Sequence, residues 1–208
     1  MAHYSRPFSQ VLRRQGLIPI GGQLLAEEVL TGHQVTFEGF VHASKVSTLG
    51  VVDSTMYGHT LSFRRFDCPT RLPQHVQERM GDIAARFMRH IDFQDGLFNI
   101  EFIYDAGQDK ITIVEVNPRM CAQFADLRQS VDGVNTYATA VAVATATTPP
   151  TAKQPPETYP VAASLVLRRF QDSIVRRAPS RAQIDSLAAG QPPTLIASYY
   201  RSGQSLSS

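Results

Sequence analysis

The chain has 208 residues, of which 43% are hydrophobic and 18% charged, and its formal net charge is +2. This composition is typical of a globular protein of one domain or slightly more, and the lack of a basic block argues against a nucleic-acid partner. The N-terminus lacks the apolar core of a signal peptide, and the apolar run at residues 137–148 is too short to span a membrane. The two cysteines have no disulfide or metal spacing. We therefore predict a cytoplasmic protein without membrane association.

The first part of the chain predicts a short helix followed by antiparallel strands. The helix is expected over residues 5–15 and the first strand over 23–29. Alternating apolar residues then predict a hairpin whose strands span 34–42 and 45–53. Residues 54–70 are rich in polar and turn-forming types and predict a loop-rich segment.

The second part predicts two long helices and a small C-terminal region. Pro73 begins a helix whose apolar positions follow the 3.6-residue period. A later helix is expected over residues 123–146, with an interruption near Asp132 and Gly133. The proline-rich segment 149–160 predicts a linker. Beyond it we expect a strand over 161–170, a helix over 180–189 and a strand over 194–200.

Two polar motifs lie inside apolar, strand-like segments: Asn-Ile-Glu-Phe at residues 99–102 and Glu-Val-Asn-Pro-Arg at 115–119. The polar residues 104–110 between them predict a hairpin turn. Residues two apart in a strand share a face, so the polar side chains of both motifs converge if these strands pair. Mg²⁺ prefers such oxygen ligands, whereas unpaired charge in an apolar strand is costly. A metal site is therefore favoured over an ordinary solvated hairpin face. The four converging side chains are Asn99, Glu101, Glu115 and Asn117.

These motifs resemble the metal-binding end of the ATP-grasp fold, most closely that of the ATP-dependent carboxylate–amine ligases and carbamoyl-phosphate-synthase-like members. The resemblance extends upstream to Leu-Ala-Glu-Glu-Val-Leu-Thr-Gly-His-Gln at residues 25–34, which resembles the hinge that grips adenine and ribose. It extends downstream to Asp-Gly-Val-Asn-Thr-Tyr at 132–137. It covers about residues 20–146 well and the rest of the chain weakly.

The resemblance implies an α+β fold, with an antiparallel sheet and flanking helices, and a small β-rich C-terminal lobe. On this interpretation residues 1–148 form the C-terminal lobe of the ATP-grasp fold, which binds metal and adenine. Residues 149–160 are the linker and residues 161–208 the small α/β lobe.

The resemblance also implies roles for the motif residues. Glu101 and Glu115 would be metal ligands, with Glu115 able to bridge two ions, and Asn117 would supply a neutral oxygen to the second ion. Arg119 and Asn99 would be the catalytic pair. Arg119 would hold the transferring phosphoryl group or the substrate carboxylate, while Asn99 would line the same patch.

Nucleotide contacts are implied upstream of the motifs. Backbone groups around Glu27, Glu28 and Leu30 would meet the adenine edge, although the two acids equally fit a strand-end charge pair. Gln34 stands where the family usually places an acid against the ribose hydroxyls, and an amide can also bond a hydroxyl. Glu38 lies in a strand without the motif, so we expect its replacement by Gln to cost little.

The implied enzyme is an ATP-dependent ligase that uses Mg²⁺ or Mn²⁺ to activate a small carboxylate as an acyl phosphate for attack by an amine-type nucleophile. The chain has no Gly-rich anion loop, and its only lysines are Lys45, Lys110 and Lys153. We therefore expect a partner chain to supply the phosphate-covering lobe, or the isolated chain to be inactive. Two alternatives stay open: a non-catalytic ATP-grasp fragment or partner-dependent binding module, and an unrelated α+β binding protein with a coincidental motif. The motifs specify neither the carboxylate nor the nucleophile.

Overall fold

A computed structural model describes residues 27–150, 159–189 and 194–206 of the chain. The elements below all belong to one compact unit, His33–Ser208. Its strands are β1 His33–His42, β2 Lys45–Met56, β3 Phe63–Cys68, β4 Gly96–Asp105, β5 Lys110–Asn117, β6 Ala162–Leu165, β7 Ser173–Ile174 and β8 Ser205–Leu206. Its helices are α1 Gln74–His90, α2 Ala122–Asp132, α3 Thr136–Ala144 and α4 Arg181–Ala189.

Six of the strands form one sheet in the order β5-β4-β1-β2-β3-β6, and every neighbouring pair is antiparallel. The strands β7 and β8 form a separate two-stranded sheet. This is the α+β architecture, an antiparallel sheet with flanking helices, that the sequence resemblance implies, and the prediction of the fold class is confirmed.

The sheet carries helices on both faces. Helix α1 buries Val76, Met80, Ala84 and Met88 against apolar side chains of β1, β2 and β4. These helix positions are three to four residues apart, which places them on one stripe of the helix. On the opposite face, Phe124 of α2 packs against β2 and β3, while α3 packs against β1 and β4. Because helices cover both faces of the sheet, the side chains of β1 are almost continuously buried.

Several predicted elements are confirmed with small shifts. The first hairpin is formed by β1 and β2, which pair from Val35 opposite Asp53 to His42 opposite Lys45. Helix α1 begins directly after Pro73. The predicted helix over 123–146 is two helices, α2 and α3, separated near the expected point by Gly133, whose φ is 68°. A left-handed residue at this position ends α2, and glycine adopts it without strain.

The predicted loop over residues 54–70 is wrong in part, because it contains the end of β2 and all of β3. In β3, Phe66 and Cys68 are buried, while Arg65 forms an ion pair with Asp67. The charged residues gave this segment a polar composition that concealed its alternation. The strand is only six residues long, and so few apolar residues leave no recognisable period.

The N-terminal predictions fall largely outside the described residues. The expected helix over 5–15 lies wholly outside them, as do residues 23–26 of the expected strand over 23–29. Residues 27–29 are described, and they are exposed and not part of a strand. The strand prediction is therefore wrong for those three residues, which lie in irregular backbone.

The C-terminal predictions are partly confirmed. Helix α4 matches the prediction over 180–189. The expected strand over 161–170 is only the four-residue β6, which pairs with Arg65 to Cys68 of β3. The expected strand over 194–200 is wrong. Its side chains, among them Leu195 and Tyr199, are exposed, and β-rich composition does not make a strand without a pairing partner.

The first strand of the predicted C-terminal lobe is thus an edge strand of the main sheet. The division of the chain into domains at residues 149–160 stays a prediction. Among the helices of the described segments, none combines the length and apolar character needed to cross a bilayer.

Candidate functional site

Three adjacent strands, β1, β4 and β5, carry polar side chains on the sheet face opposite α1. Their registers align the residues in two rows that run across the strands. Directly opposed residues of antiparallel strands point to the same side, so each row is a continuous polar strip. One row is Thr36, Glu101 and Glu115; the other is Glu38, Asn99 and Asn117.

The structure therefore brings together the four residues that the strand spacing predicts to converge. Glu101 of β4 is directly opposite Glu115 of β5, and Asn99 is directly opposite Asn117. A β-bulge interrupts the register immediately after Glu101. Bulges reorient side chains and are frequent beside functional sites, and here the bulge lies next to the two carboxylates.

Neither carboxylate forms a salt bridge in the described part of the chain. Burial, and then the neighbouring charge of Glu115, raise the pKa of Glu101 above its ordinary value, and the positive charge of Arg119 lowers this pKa less than the other groups raise it. The Nε2 atom of Gln34 donates a hydrogen bond of 2.9 Å to Oε2 of Glu101. An amide satisfies an oxygen without neutralising its charge, so an acid pair without a salt bridge lies at this position.

Asn99 and Arg119 are linked to each other rather than to the acid pair. Asn99 is 3% exposed, and its Nδ2 atom donates a 3.0 Å hydrogen bond to the carbonyl oxygen of Arg119. The Arg119 guanidinium is exposed and donates a 3.3 Å bond to Oδ1 of Asn117. The backbone after β5 is thus tied to β4, while the guanidinium lies at the surface beside the polar rows.

A second polar group on this face was missed by the sequence analysis. Arg128 of α2 is 2% exposed, and its Nε atom lies 3.0 Å from Oε2 of Glu38. Its Nη1 atom lies 3.0 Å from Oδ2 of Asp132. Gly50 packs under this guanidinium with a φ of 147°, and a Cβ at this position would lie 2.2 Å from Nη1. Glycine is therefore required where β2 passes beneath Arg128.

The expectation for Glu38 is corrected by this contact. Glu38 is 2% exposed, and burial raises its pKa, while Arg128 acts in the opposite direction. Replacing an acid that neutralises a buried guanidinium is costly, so Glu38 is not an indifferent surface acid. Glu38 lies four residues after Gln34 on the same strand face, and this spacing could have indicated that it faces the same side of the sheet as the candidate site. Its partner lies 90 residues away and carries no motif.

The predicted adenine-binding residues belong to the other compact unit, Met1–Gly32. Glu27 and Glu28 are exposed, Leu30 is half-buried, and all three lie in irregular backbone. Gln34, the predicted ribose contact, lies in β1, where it is bonded to Glu101. The roles of these four residues stay predictions.

The donor set on β4 and β5 is suited to a hard divalent cation. It offers the carboxylates of Glu101 and Glu115 and the amide oxygen of Asn117. Within residues 27–150, 159–189 and 194–206, no three His, Cys, Asp or Glu side chains form a metal-binding group by themselves. Two carboxylates are nevertheless what Mg²⁺ commonly takes from protein when phosphate oxygens complete its shell. The residues present thus fit a nucleotide-bound metal better than an all-protein cage.

Comparison with known families agrees with this fold. Residues 9–123 match the model of the ATP-grasp domain, which is more than half of the chain. The chain therefore belongs to the ATP-grasp domain family. A comparison with curated protein sequences finds no significant match.

Solved structures with a similar fold include biotin carboxylase from Campylobacter jejuni, with 17% identity, a TM-score of 0.52, and coverage of 60% of this chain and 28% of that one. The biotin carboxylase domain of a single-chain bacterial carboxylase has 18% identity and a TM-score of 0.57, with coverage of 78% and 43%. L-Amino acid ligase from Bacillus licheniformis has 13% identity and a TM-score of 0.58, with coverage of 72% and 37%. The matched region is less than half of each of these longer chains.

Proposed function

We propose that this chain binds ATP together with Mg²⁺ or Mn²⁺, and that it serves a ligase that activates a carboxylate as an acyl phosphate for attack by an amine-type nucleophile. The observation that carries the proposal is the directly opposed pair of Glu101 and Glu115 on the sheet of an ATP-grasp domain, where neither acid forms a salt bridge with a described residue.

The chemistry explains why such a pair is needed. A carboxylate must approach a triphosphate that is already anionic, so most of the catalytic task is positioning and neutralisation of charge. Divalent cations, when bound, neutralise the phosphate oxygens. Glu101, Glu115 and Asn117 would hold these cations at a fixed place on a rigid sheet. The two acids repel each other without a cation, and this repulsion favours cation binding.

Arg119 would contribute the mobile positive charge of the site. Its guanidinium is exposed and its hydrogen bond to Asn117 is 3.3 Å long, so it can turn toward a phosphoryl group or a substrate carboxylate at little cost. Asn99 is buried and holds the Arg119 carbonyl oxygen. We therefore assign to Asn99 the positioning of Arg119 rather than a contact with substrate.

Nucleotide binding is proposed because the chain belongs to the ATP-grasp domain family. Backbone groups near Glu27, Glu28 and Leu30 would meet the adenine, and Gln34 would reach a ribose hydroxyl. The solved structures of similar fold are longer than this chain, and the complete reaction is proposed for an assembly that includes a phosphate-covering lobe. A partner chain is one way to supply that lobe.

Titration calorimetry with Mg·ATP on the isolated chain tests the binding step. We expect weak binding, micromolar or weaker, that requires the metal and is lost in the double variant Glu101→Gln/Glu115→Gln. Glu78→Gln, an exposed acid on α1, is the control and should bind as the parent does. ATP binding that is indifferent to both metal and double substitution would contradict the proposal. Submicromolar binding by the parent would show that no further lobe is needed.

Measurement of phosphate release tests the catalytic step. In a complete assembly we expect carboxylate-dependent hydrolysis of ATP, with an amine accelerating turnover. Metal-dependent binding without any turnover across a panel of carboxylates and amines would favour the non-catalytic alternative instead.

A further inference from the structure

The side chain of Gln34 crosses from β1 to the acid pair on β4. Gln34 is opposite Ile103 in the strand register, so it reaches Glu101 along the diagonal, two residues further on. The bond from Nε2 to Oε2 of Glu101 is 2.9 Å long and is partly buried. Diagonal contacts of this kind are within reach of long side chains on one sheet face.

The chemistry of an amide suits this position. A carboxamide donates a hydrogen bond and carries no charge, whereas an acid at the same place would face Glu101 with a further negative charge. The bond uses Oε2 of Glu101 and leaves the lone pairs of Oε1 available for a cation. It also fixes the rotation of a carboxylate that would otherwise turn away from its neighbour Glu115.

We infer that Gln34 is a positioning residue for the metal site, and that its hydrogen bond holds the Glu101 carboxylate ready for a divalent cation. The inference rests on the proposed function, because it assumes that Glu101 is a metal ligand. It gives Gln34 a task in addition to the ribose contact predicted from the sequence. One amide hydrogen is committed to Glu101, so a ribose contact would use Oε1 or the second amide hydrogen of Gln34.

Supporting groups that hold a metal ligand typically change metal affinity by tenfold or more when they are removed. Gln34→Met keeps the length of the side chain and removes the donor, so we expect Mn²⁺ affinity to fall about tenfold. The probe is MnCl₂ alone, titrated into the isotope-labelled chain. The readout is the paramagnetic broadening of backbone amide signals of residues 99–103 and 115–117, which locates the ion and detects weak binding.

Gln77→Met is the matched control. Gln77 lies on α1, and its Nε2 atom donates a partly buried hydrogen bond of 2.7 Å to the Leu72 carbonyl oxygen. This substitution removes the same kind of bond on the opposite face of the sheet, so it should lower stability without changing Mn²⁺ affinity. If Gln34→Met fails to fold, Gln34→Asn retains a polar amide that is too short to reach Glu101 and should show the same loss.

The possible results separate the two proposals. The positioning role is supported if the parent and Gln77→Met have equal Mn²⁺ affinity while that of the Gln34 variant is at least about fivefold lower. A Gln34 variant whose Mn²⁺ affinity is less than about fivefold below that of the parent overturns this role and leaves the metal site in place. A parent chain in which these signals do not broaden overturns the proposed metal site and the inference together.

Discussion

Glu38 and Glu101 lie on adjacent strands and on the same sheet face, but their surroundings differ. Burial raises the pKa of both carboxyl groups. Glu38 is matched by the buried guanidinium of Arg128, whereas Glu101 faces a second acid and bonds to a neutral amide. An acid with a buried partner holds the fold together. An acid pair that forms no salt bridge within residues 27–150, 159–189 and 194–206 leaves a place for a cation from outside, which is the property expected of a binding site.

The largest expected effect concerns the buried ion pair of Glu38 and Arg128. Arg128→Met leaves Glu38 buried without a counter-charge, so the free energy of unfolding should fall by about 3–5 kcal/mol. Urea denaturation followed by circular dichroism measures this loss. The double variant Glu38→Leu/Arg128→Met removes both charges and should recover most of it. A loss below about 1 kcal/mol for the single variant would mean that the pair is not buried as described.

The next effect concerns the acid pair. Glu115→Gln keeps the size of the side chain and removes the charge, so folding should be unaffected or slightly improved through the relief of repulsion with Glu101. In the complete ligase, phosphoryl transfer should fall by about a hundredfold or more, as expected when preorganised charge is lost.

Phosphate release during ATP turnover measures this loss. Glu78→Gln is the control. Glu38→Gln, which the sequence predicts to cost little, is unsuitable because Glu38 lies in a buried ion pair. Turnover by Glu115→Gln close to that of the parent would make Glu115 a structural acid.

A smaller effect concerns the thiol beside the buried pair. Cys68 lies 3.5 Å from Nη1 of Arg128, yet burial dominates and raises its pKa to about 11. Burial likewise raises the pKa of Cys121 to about 11. The lower thiolate fraction is partly offset by higher nucleophilicity, and burial also restricts access to Cys68. Alkylation by iodoacetamide at pH 8 should therefore be at least about twentyfold slower in the folded chain than in urea. Rapid labelling of folded Cys68 would show that the guanidinium outweighs burial.

The smallest effect is the pH dependence that Glu38 contributes. Since its pKa is raised on folding, the folded chain holds this proton more tightly than the unfolded chain does. Its contribution to stability is complete below the unfolded pKa of about 4.3 and is lost as the pH rises through the folded pKa. The free energy of unfolding of the parent minus that of Glu38→Gln should therefore decline with pH across this window. A difference that grows with pH would mean that attraction to Arg128 outweighs desolvation.

The β4–β5 hairpin was predictable because its information is local. The motif residues are two apart in each strand, and a short polar turn joins the strands, so the polar pair of each motif shares a face. The register that places Glu101 opposite Glu115 also depends on the β-bulge after Glu101, which the spacing does not show. The apolar stripe of α1 is local in the same way. Patterns within one or two elements carry this kind of information.

The Glu38–Arg128 pair was not predictable for the opposite reason. It depends on α2 packing across the sheet so that two residues far apart in sequence meet, with Gly50 leaving room for the guanidinium. Strand β3 was missed because its ion-paired residues, Arg65 and Asp67, made it resemble a loop. The strand expected over 194–200 failed because its composition is β-rich, whereas the backbone there is irregular and its side chains are exposed.

The central claim is that Glu101 and Glu115 bind a divalent cation that accompanies ATP. Crystals grown with MnCl₂ and a non-hydrolysable ATP analogue, measured at the manganese absorption edge, test it most directly. We expect an anomalous peak that lies about 2.0–2.3 Å from oxygens of both carboxylates, with phosphate oxygens completing the coordination shell of the manganese. A bound nucleotide whose manganese contacts neither glutamate would contradict the claim.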